Sequence, residues 1–334
     1  MALFFIIIHN ITYFRYNANM TDLLIIGAGP AGLSAAQYGA RANLKVTVLE
    51  QMAPGGQALN IDILENYPGN TAQGELPPRS GFDFSQDLHK QAEGFGAEII
   101  MEEALNLEKQ GEQFIVSLAG GKSLQAPALI LATGAQRRKL EAEGEEDFYG
   151  RGVSYCATCD GPFFKNKKIL VVGGGDSACD EAHFLSRFGS EVIVVHRKNS
   201  FRAQRALAER TLANPNIEVR FNTRLLEIKG DTKVTSVILQ GPAAADYEEA
   251  MDGVFIFVGS IPQTALVQKL GVELDESGYI ITDQKMASSV PGLYIAGDVR
   301  SSPFRQVVVA AAEGAIAAHC AAAYIDSIRG FTYS

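Results

Sequence analysis

A chain of 334 residues, 47% hydrophobic and 20% charged, is long enough for two domains that each bury a core of their own. The formal net charge of −9 argues against nucleic acid or an anionic membrane as the main partner, although a local basic cluster could still serve a phosphate. Of four cysteines only Cys156 and Cys159 are close in sequence, which excludes a secreted disulfide scaffold and fits a reducing cytosol.

Residues 1–19 read as a dispensable extension, with Met20 opening the globular protein. The apolar run from Ala2 to Ile8 falls far short of the roughly 20 residues that span a bilayer. Neither a positive region before it nor a small-residue cleavage site after it marks a signal peptide. A weak membrane anchor is the alternative.

From Asp22 the run Leu23 to Ile26 reads as a buried strand, and Gly27-Ala28-Gly29-Pro30-Ala31-Gly32 follows at once. A helix starts at Pro30, and Lys45 to Glu50 is the next strand. The order returns from Lys168: strand Ile169 to Val172, the turn Gly173-Gly174-Gly175-Asp176-Ser177-Ala178, a helix through Phe188 and a strand from Glu191 to Val195. Gly27 and Gly173 lie 146 residues apart, as do Glu50 and His196. One glycine turn is weak evidence for a nucleotide site. Two, each followed by a second strand at equal distance, are strong.

The glycines allow a tight turn and bring helix N-terminal N–H groups up to a pyrophosphate; Ala178 takes the third glycine's place, which the fingerprint tolerates. The fold class is therefore α/β, with two Rossmann-like, doubly wound, three-layer nucleotide-binding domains. Glu50, at the end of its strand, can accept hydrogen bonds from a ribose diol, as FAD or NAD requires. His196 holds the matching place and is followed by Arg197, Lys198 and, shortly after, Arg202. A carboxylate there would repel a 2′-phosphate whereas this cluster attracts one, so the second nucleotide reads as NADPH. A solvated basic loop is the alternative.

Two more segments belong with the first unit. Leu129 to Leu131 is a strand running into Ala132-Thr133-Gly134, and Gly292 to Ala296 another, running into Gly297-Asp298-Val299. The first domain is then discontinuous, residues 20–136 and 264–334, with the second, 137–263, inserted. Short connectors near Gln136–Leu140 and Gly259–Thr264 would act as a hinge.

Cys156-Ala157-Thr158-Cys159 sits just upstream of the second glycine turn. Such a pair could bind metal, form a structural bridge or carry out redox chemistry. A zinc site needs a second ligand pair, and Cys179 and Cys320 read as small core residues in helices. Two nucleotide folds beside the pair point to electrons passing from one nucleotide to another and then to sulfur. Cysteines near a helix start gain thiolate stabilisation. Asp160 next to the pair could exchange protons or cap the helix. His89, His183 and His319 sit in helices without a catalytic pattern around them.

The chain resembles the low-molecular-weight, bacterial-type thioredoxin reductases over residues 20–334. The matching residues are Gly27 to Gly32, Gly55-Gly56-Gln57, Glu65-Asn66-Tyr67-Pro68-Gly69, Ala132-Thr133-Gly134, Cys156 to Gly161, Gly173 to Ala178, His196-Arg197-Lys198, Gly297-Asp298-Val299 and Arg305-Gln306. The resemblance implies FAD contacts at Gly27 to Ala31, Glu50, Gln57, Asn66, the Ala104 backbone, Cys159, Asp298, Arg305 and Gln306; Gly32, Gly56, Thr133, Gly134 and Gly297 belong to the same motifs. It implies NADPH contacts at Gly175 to Ala178, His196, Arg197, Lys198 and Arg202, with Gly173 opening that turn. It also implies that Cys159 faces the flavin while Cys156 attacks the disulfide of thioredoxin or a thioredoxin-like protein, and that the enzyme is a cytoplasmic homodimer. The family usually has a second arginine where this chain has Lys198, a change that keeps the charge but loses the planar fork.

NADPH and the disulfide need the same flavin, and both ride on the second domain. That domain is expected to rotate on the connectors, presenting first Cys159 and then nicotinamide. Rival readings are a ferredoxin– or flavodoxin–NADP reductase, a small-dithiol oxidase and a non-catalytic FAD redox sensor.

Overall fold

The computed structural model describes residues 20–61, 63–70, 79–242 and 245–331. The expected extension, residues 1–19, lies outside them. β1 (Leu23–Ile26), α1 (Pro30–Arg41), β2 (Val46–Glu50), α2 (Gly81–Gly94) and β3 (Glu98–Met101) alternate along the chain. An antiparallel sheet of β4 (Ala104–Gln110), β5 (Gln113–Leu118) and β6 (Ser123–Ala126) comes next, followed by β7 (Ala128–Leu131) and the short β8 (Ala135–Arg137). Then come β9 (Val153–Ser154), α3 (Ala157–Asp160), β10 (Lys168–Gly173), α4 (Asp176–Leu185), β11 (Glu191–His196), α5 (Arg205–Ala213) and β12 (Ile217–Phe221). A second antiparallel sheet, β13 (Arg224–Gly230), β14 (Val234–Gln240) and β15 (Asp246–Ala250), precedes β16 (Gly253–Phe257). β17 (Ser260–Pro262), β18 (Leu293–Ile295) and α6 (Val307–Ile328) complete the chain.

Both nucleotide units form five-stranded parallel sheets, ordered β3-β2-β1-β7-β18 and β12-β11-β10-β16-β9. Their central strands are apolar throughout because helices and antiparallel sheets cover both faces. Register repeats as well: Leu23 pairs with Val46, and Ile169 with Val192. One position differs. The outer strand beyond β7 is β18, which follows it in the chain, whereas the outer strand beyond β16 is β9, which precedes the whole unit. The cysteine pair therefore hangs directly from a sheet edge.

The first sheet carries α1 and α6 on one face, where Leu33, Ala35, Ala317, Ala321 and Ile325 are fully buried. α6 is long and apolar enough to cross a membrane by length and composition. Here it is a core helix, set so close to α1 that a Cβ at Gly314 would overlap the Ala31 carbonyl. α4 stops at Leu185, a few residues short of the expected Phe188.

The connectors on either side of the second unit pair with each other. β8 and β17 form an antiparallel ribbon, Ala135 opposite Pro262 and Arg137 opposite Ser260. Gln263 ties the ribbon to the first domain, since Thr133 Oγ1 donates to its carbonyl and its Nε2 donates to the Thr133 carbonyl, both at 2.7 Å.

Gly314→Ala should lose about 1–3 kcal/mol of stability by forcing α1 and α6 apart, against the roughly 1 kcal/mol of helix propensity that alanine brings. Denaturant unfolding would register this as a lower midpoint.

Candidate functional site

Each parallel sheet ends in a glycine turn at its C-terminal edge. Gly27 has φ +101°, and a side chain there would strike the Ala132 carbonyl at the end of β7. Gly173 faces the Phe257 carbonyl at the end of β16 in the same way. At the second glycine of each turn, Gly29 and Gly175, a Cβ would meet nothing within 4 Å, so the helix start is open to a ligand. α1 begins with Pro30 at its first turn and α4 with Asp176.

Around the first turn the residues expected to contact FAD converge. Glu50 Oε2 accepts from Ala28 N–H and Oε1 from Met52 N–H, both at 2.9 Å, which fixes the carboxylate at the rim. Gly56 opens the short helix Gly56–Asn60, and the Gln57 amide donates to the Ala135 carbonyl in the β8–β17 ribbon. Asn66 donates to Gln306 at 2.9 Å although 240 positions separate them. Arg305 lies 3.7 Å above the Tyr279 ring, its Nε buried without a hydrogen-bond partner. Thr133-Gly134 follows β7 against Gly27, and Ala104 starts β4.

Gly297-Asp298 is held from below by a buried ion pair absent from the sequence reading. Glu313 on α6 accepts the Gly297 N–H at 2.8 Å and bridges to Arg300. A lone acid inside an otherwise apolar stretch of α6 was the available signal. Burial raises the Asp298 pKa above the ordinary aspartate value, with Arg305 opposing.

The second turn is bordered by the basic loop. Arg202 N–H donates to the Gly174 carbonyl at 2.7 Å, and Asp176 accepts the Gln204 backbone and side-chain N–H groups at the same distance. Ser177, Arg197, Lys198 and Arg202 are exposed around it, and Ala178 is buried. His196 is not part of that charged surface. Its ring is buried beneath Gly174 and stacked with Phe201, and Nε2 lacks a partner. Burial, then Arg202, Arg197 and Lys198, lower its pKa, so the ring is neutral at pH 7 and the cationic charge comes from the other three.

Cys156 and Cys159 form a disulfide with Cα atoms 5.3 Å apart. Cys156 is the N-cap of α3, its Sγ accepting the Cys159 N–H at 3.2 Å, and Ser154 Oγ accepts the Cys156 N–H at 3.0 Å. Asp160 makes no side-chain cap bond at the following turn, so the capping role considered for it is not the one seen. It borders a recess of about 320 Å³ with Arg151, Phe163 and Lys167.

The disulfide touches the first domain. Thr158 Oγ1 donates to the Asn60 carbonyl, and Cys159 Sγ lies 3.6 Å from Asn60 Oδ1. Arg210 on α5 reaches Glu65 at 3.1 Å and Asp180 at 2.7 Å. Cys159 thus faces the segment that carries Gln57 and Asn66. Sequence reasoning missed Asn60, which belongs to no recognisable motif. Cys179 is buried and Cys320 half-buried, both as free thiols in helices, and His89, His183 and His319 lie in α2, α4 and α6.

Asp298→Asn should stabilise the ligand-free protein at pH 7. A carboxyl whose folded pKa is raised opposes folding once pH exceeds its unfolded value, about 3.9. The gain should therefore vanish below that pH, which unfolding midpoints measured from pH 3 to 8 would reveal.

Residues 21–314 match the family model described as pyridine nucleotide-disulphide oxidoreductase. Among curated proteins, the thioredoxin reductase of Treponema pallidum is 51% identical over 309 residues, 92% of this chain and 98% of that one. Among solved structures, Lactococcus lactis thioredoxin reductase in its "FR conformation" is 40% identical with a TM-score of 0.87, covering 92% of this chain and 99% of that one. The Streptococcus pyogenes thioredoxin reductase is 41% identical with a TM-score of 0.62, covering 93% and 100%. Two glycine-turn sheets, a disulfide between them and likeness along nearly the whole chain place this protein in the thioredoxin reductase family of the pyridine nucleotide-disulphide oxidoreductases.

Proposed function

We propose that the protein is an NADPH-dependent thioredoxin-disulfide reductase in which electrons leave through Cys156 and Cys159 to thioredoxin or a thioredoxin-like protein. The observation that carries this is the placement of the disulfide. It is borne by the domain with the second nucleotide turn, yet it lies against the segment expected to hold FAD. The first site fits FAD: Gly29 leaves room for a pyrophosphate, Glu50 stands ready for a ribose, and Arg305 offers an unpartnered buried Nε. FAD, when bound, supplies the two-electron exchange between nicotinamide and disulfide.

The protein's residues do the rest. Two electrons and protons taken up by the disulfide leave two thiols. The Cys156 thiolate attacks the partner's disulfide, forming a mixed disulfide and releasing one partner sulfur as a thiol. The Cys159 thiolate then attacks Cys156 Sγ, which closes the ring again and frees the second partner thiol. Asp160 adjoins the exchange and can carry the proton. Phe163, 81% exposed, and the cations Arg151 and Lys167 frame the recess beside it, a surface suited to a protein partner.

Arg197, Lys198 and Arg202 favour NADPH over NADH through the 2′-phosphate, with Lys198 weakening the preference. Family membership supports a homodimer, and the free thiols Cys179 and Cys320 fit a reducing cytosol. The domain boundaries near residues 136 and 263 and rotation about the β8–β17 ribbon belong to the same reading. The Lactococcus and Streptococcus structures match equally in identity and coverage but differ in TM-score, the outcome expected when unchanged domains are set at different angles.

Anaerobic NADPH should bleach the flavin of the purified protein and create two new thiols. A Cys156→Ser, Cys159→Ser double variant should keep the bleaching and lose thioredoxin reduction; thioredoxin reduction at the normal rate in that variant would refute the reading. Joining Glu65→Cys to Arg210→Cys with a bifunctional maleimide should stop multiple turnover by fixing the two domains, and unimpaired turnover would rule out rotation.

A further inference from the structure

Arg137 closes β8 in the hinge ribbon, and its guanidinium turns inward. The guanidinium carbon lies 5.6 Å from the centroid of the Phe257 ring, and Nη1 is buried with no hydrogen-bond partner. Burial lowers its pKa from the ordinary arginine value, with Glu181 opposing. Arginine nevertheless stays charged at any physiological pH, so a donor aimed into the protein without an acceptor is costly unless a ligand completes it.

Its surroundings say which ligand. Phe257 ends β16, directly opposite Gly173 in the parallel register, and its carbonyl is the group packed against that glycine. Glu181 stands one helical turn beyond Ser177 on α4. Arg137 therefore flanks the second glycine turn on its β16 side, while Arg197, Lys198 and Arg202 flank it on the β11 side. With the strands ordered β11-β10-β16, the two basic groups stand on opposite sides of the central strand. A dinucleotide bound along this edge has its adenosine ribose at the β11 end, its pyrophosphate at the turn and its other half toward β16.

We propose that Arg137 binds the nicotinamide-side phosphate of NADPH, so that the dinucleotide is gripped at both ends by cations on different segments. The proposal rests on the NADPH reading above. It gives the hinge ribbon a ligand contact in addition to its role as a connector.

The test is calorimetric titration of the oxidised FAD-loaded enzyme with NADP⁺ and with 2′,5′-ADP, which keeps the 2′-phosphate but lacks the nicotinamide half. Arg137→Ala should raise the Kd for NADP⁺ about tenfold or more, the scale of one charged hydrogen bond, and leave 2′,5′-ADP binding unchanged. Lys198→Ala should weaken both, and Arg137→Lys should recover part of the loss. Unchanged NADP⁺ affinity in Arg137→Ala with a normal flavin spectrum, or an equal loss for 2′,5′-ADP, would overturn the assignment. Should the alanine variant not fold, Arg137→Gln is read by the same comparison. A wild-type enzyme that binds neither probe would instead remove the NADPH reading on which the assignment rests.

Discussion

The second glycine turn and the disulfide are carried on one domain, and the disulfide rests against the other. Thr158 and Cys159 rest on Asn60, and Arg210 bridges Asp180 of its own domain to Glu65 of the other. These contacts are polar and partly exposed, of a kind worth roughly 0–1 kcal/mol each in water. A dry apolar interface in the same place would hold the two domains together far more firmly. The cores stay within the domains, where clusters such as Leu170, Ile193 and Ile256 are entirely enclosed.

The rims of the two nucleotide sites are built to different rules. In the first, charge is buried and braced: Glu313 and Arg300 pair beneath Gly297, and Asp298 sits in surroundings that disfavour its ionised form. Buried charge of this kind is costly unless it is paired, which is what Arg300 does for Glu313. In the second, three cations stand in solvent on a loop tied to the turn by Arg202 and Gln204. Exposed charges of this kind attract an anion through solvent and are screened by salt.

Local signals explain what the sequence disclosed. Strand, glycine turn and helix follow one another within about twenty residues, so both nucleotide units and their spacing could be read directly, as could the cysteine pair. The ribbon of β8 and β17 could not, because each strand has only three residues and the partners lie far apart in the chain. Asn60 and Arg137 stand out only through neighbours supplied by the other domain or the end of β16. His196 shows the opposite case: its sequence neighbours are all cationic, and only the fold reveals that the ring turns inward under Gly174 while they face outward.

The use of β9 in the second sheet where the first has β18 fixes where the cysteines hang. The second unit closes its sheet with chain that arrives before it, where the first unit closes with chain that returns long after β7. That arriving segment ends at the cysteines. The sulfurs thus sit just past a strand that is pinned into the sheet, so their position follows from how the chain enters the unit and needs no additional strand.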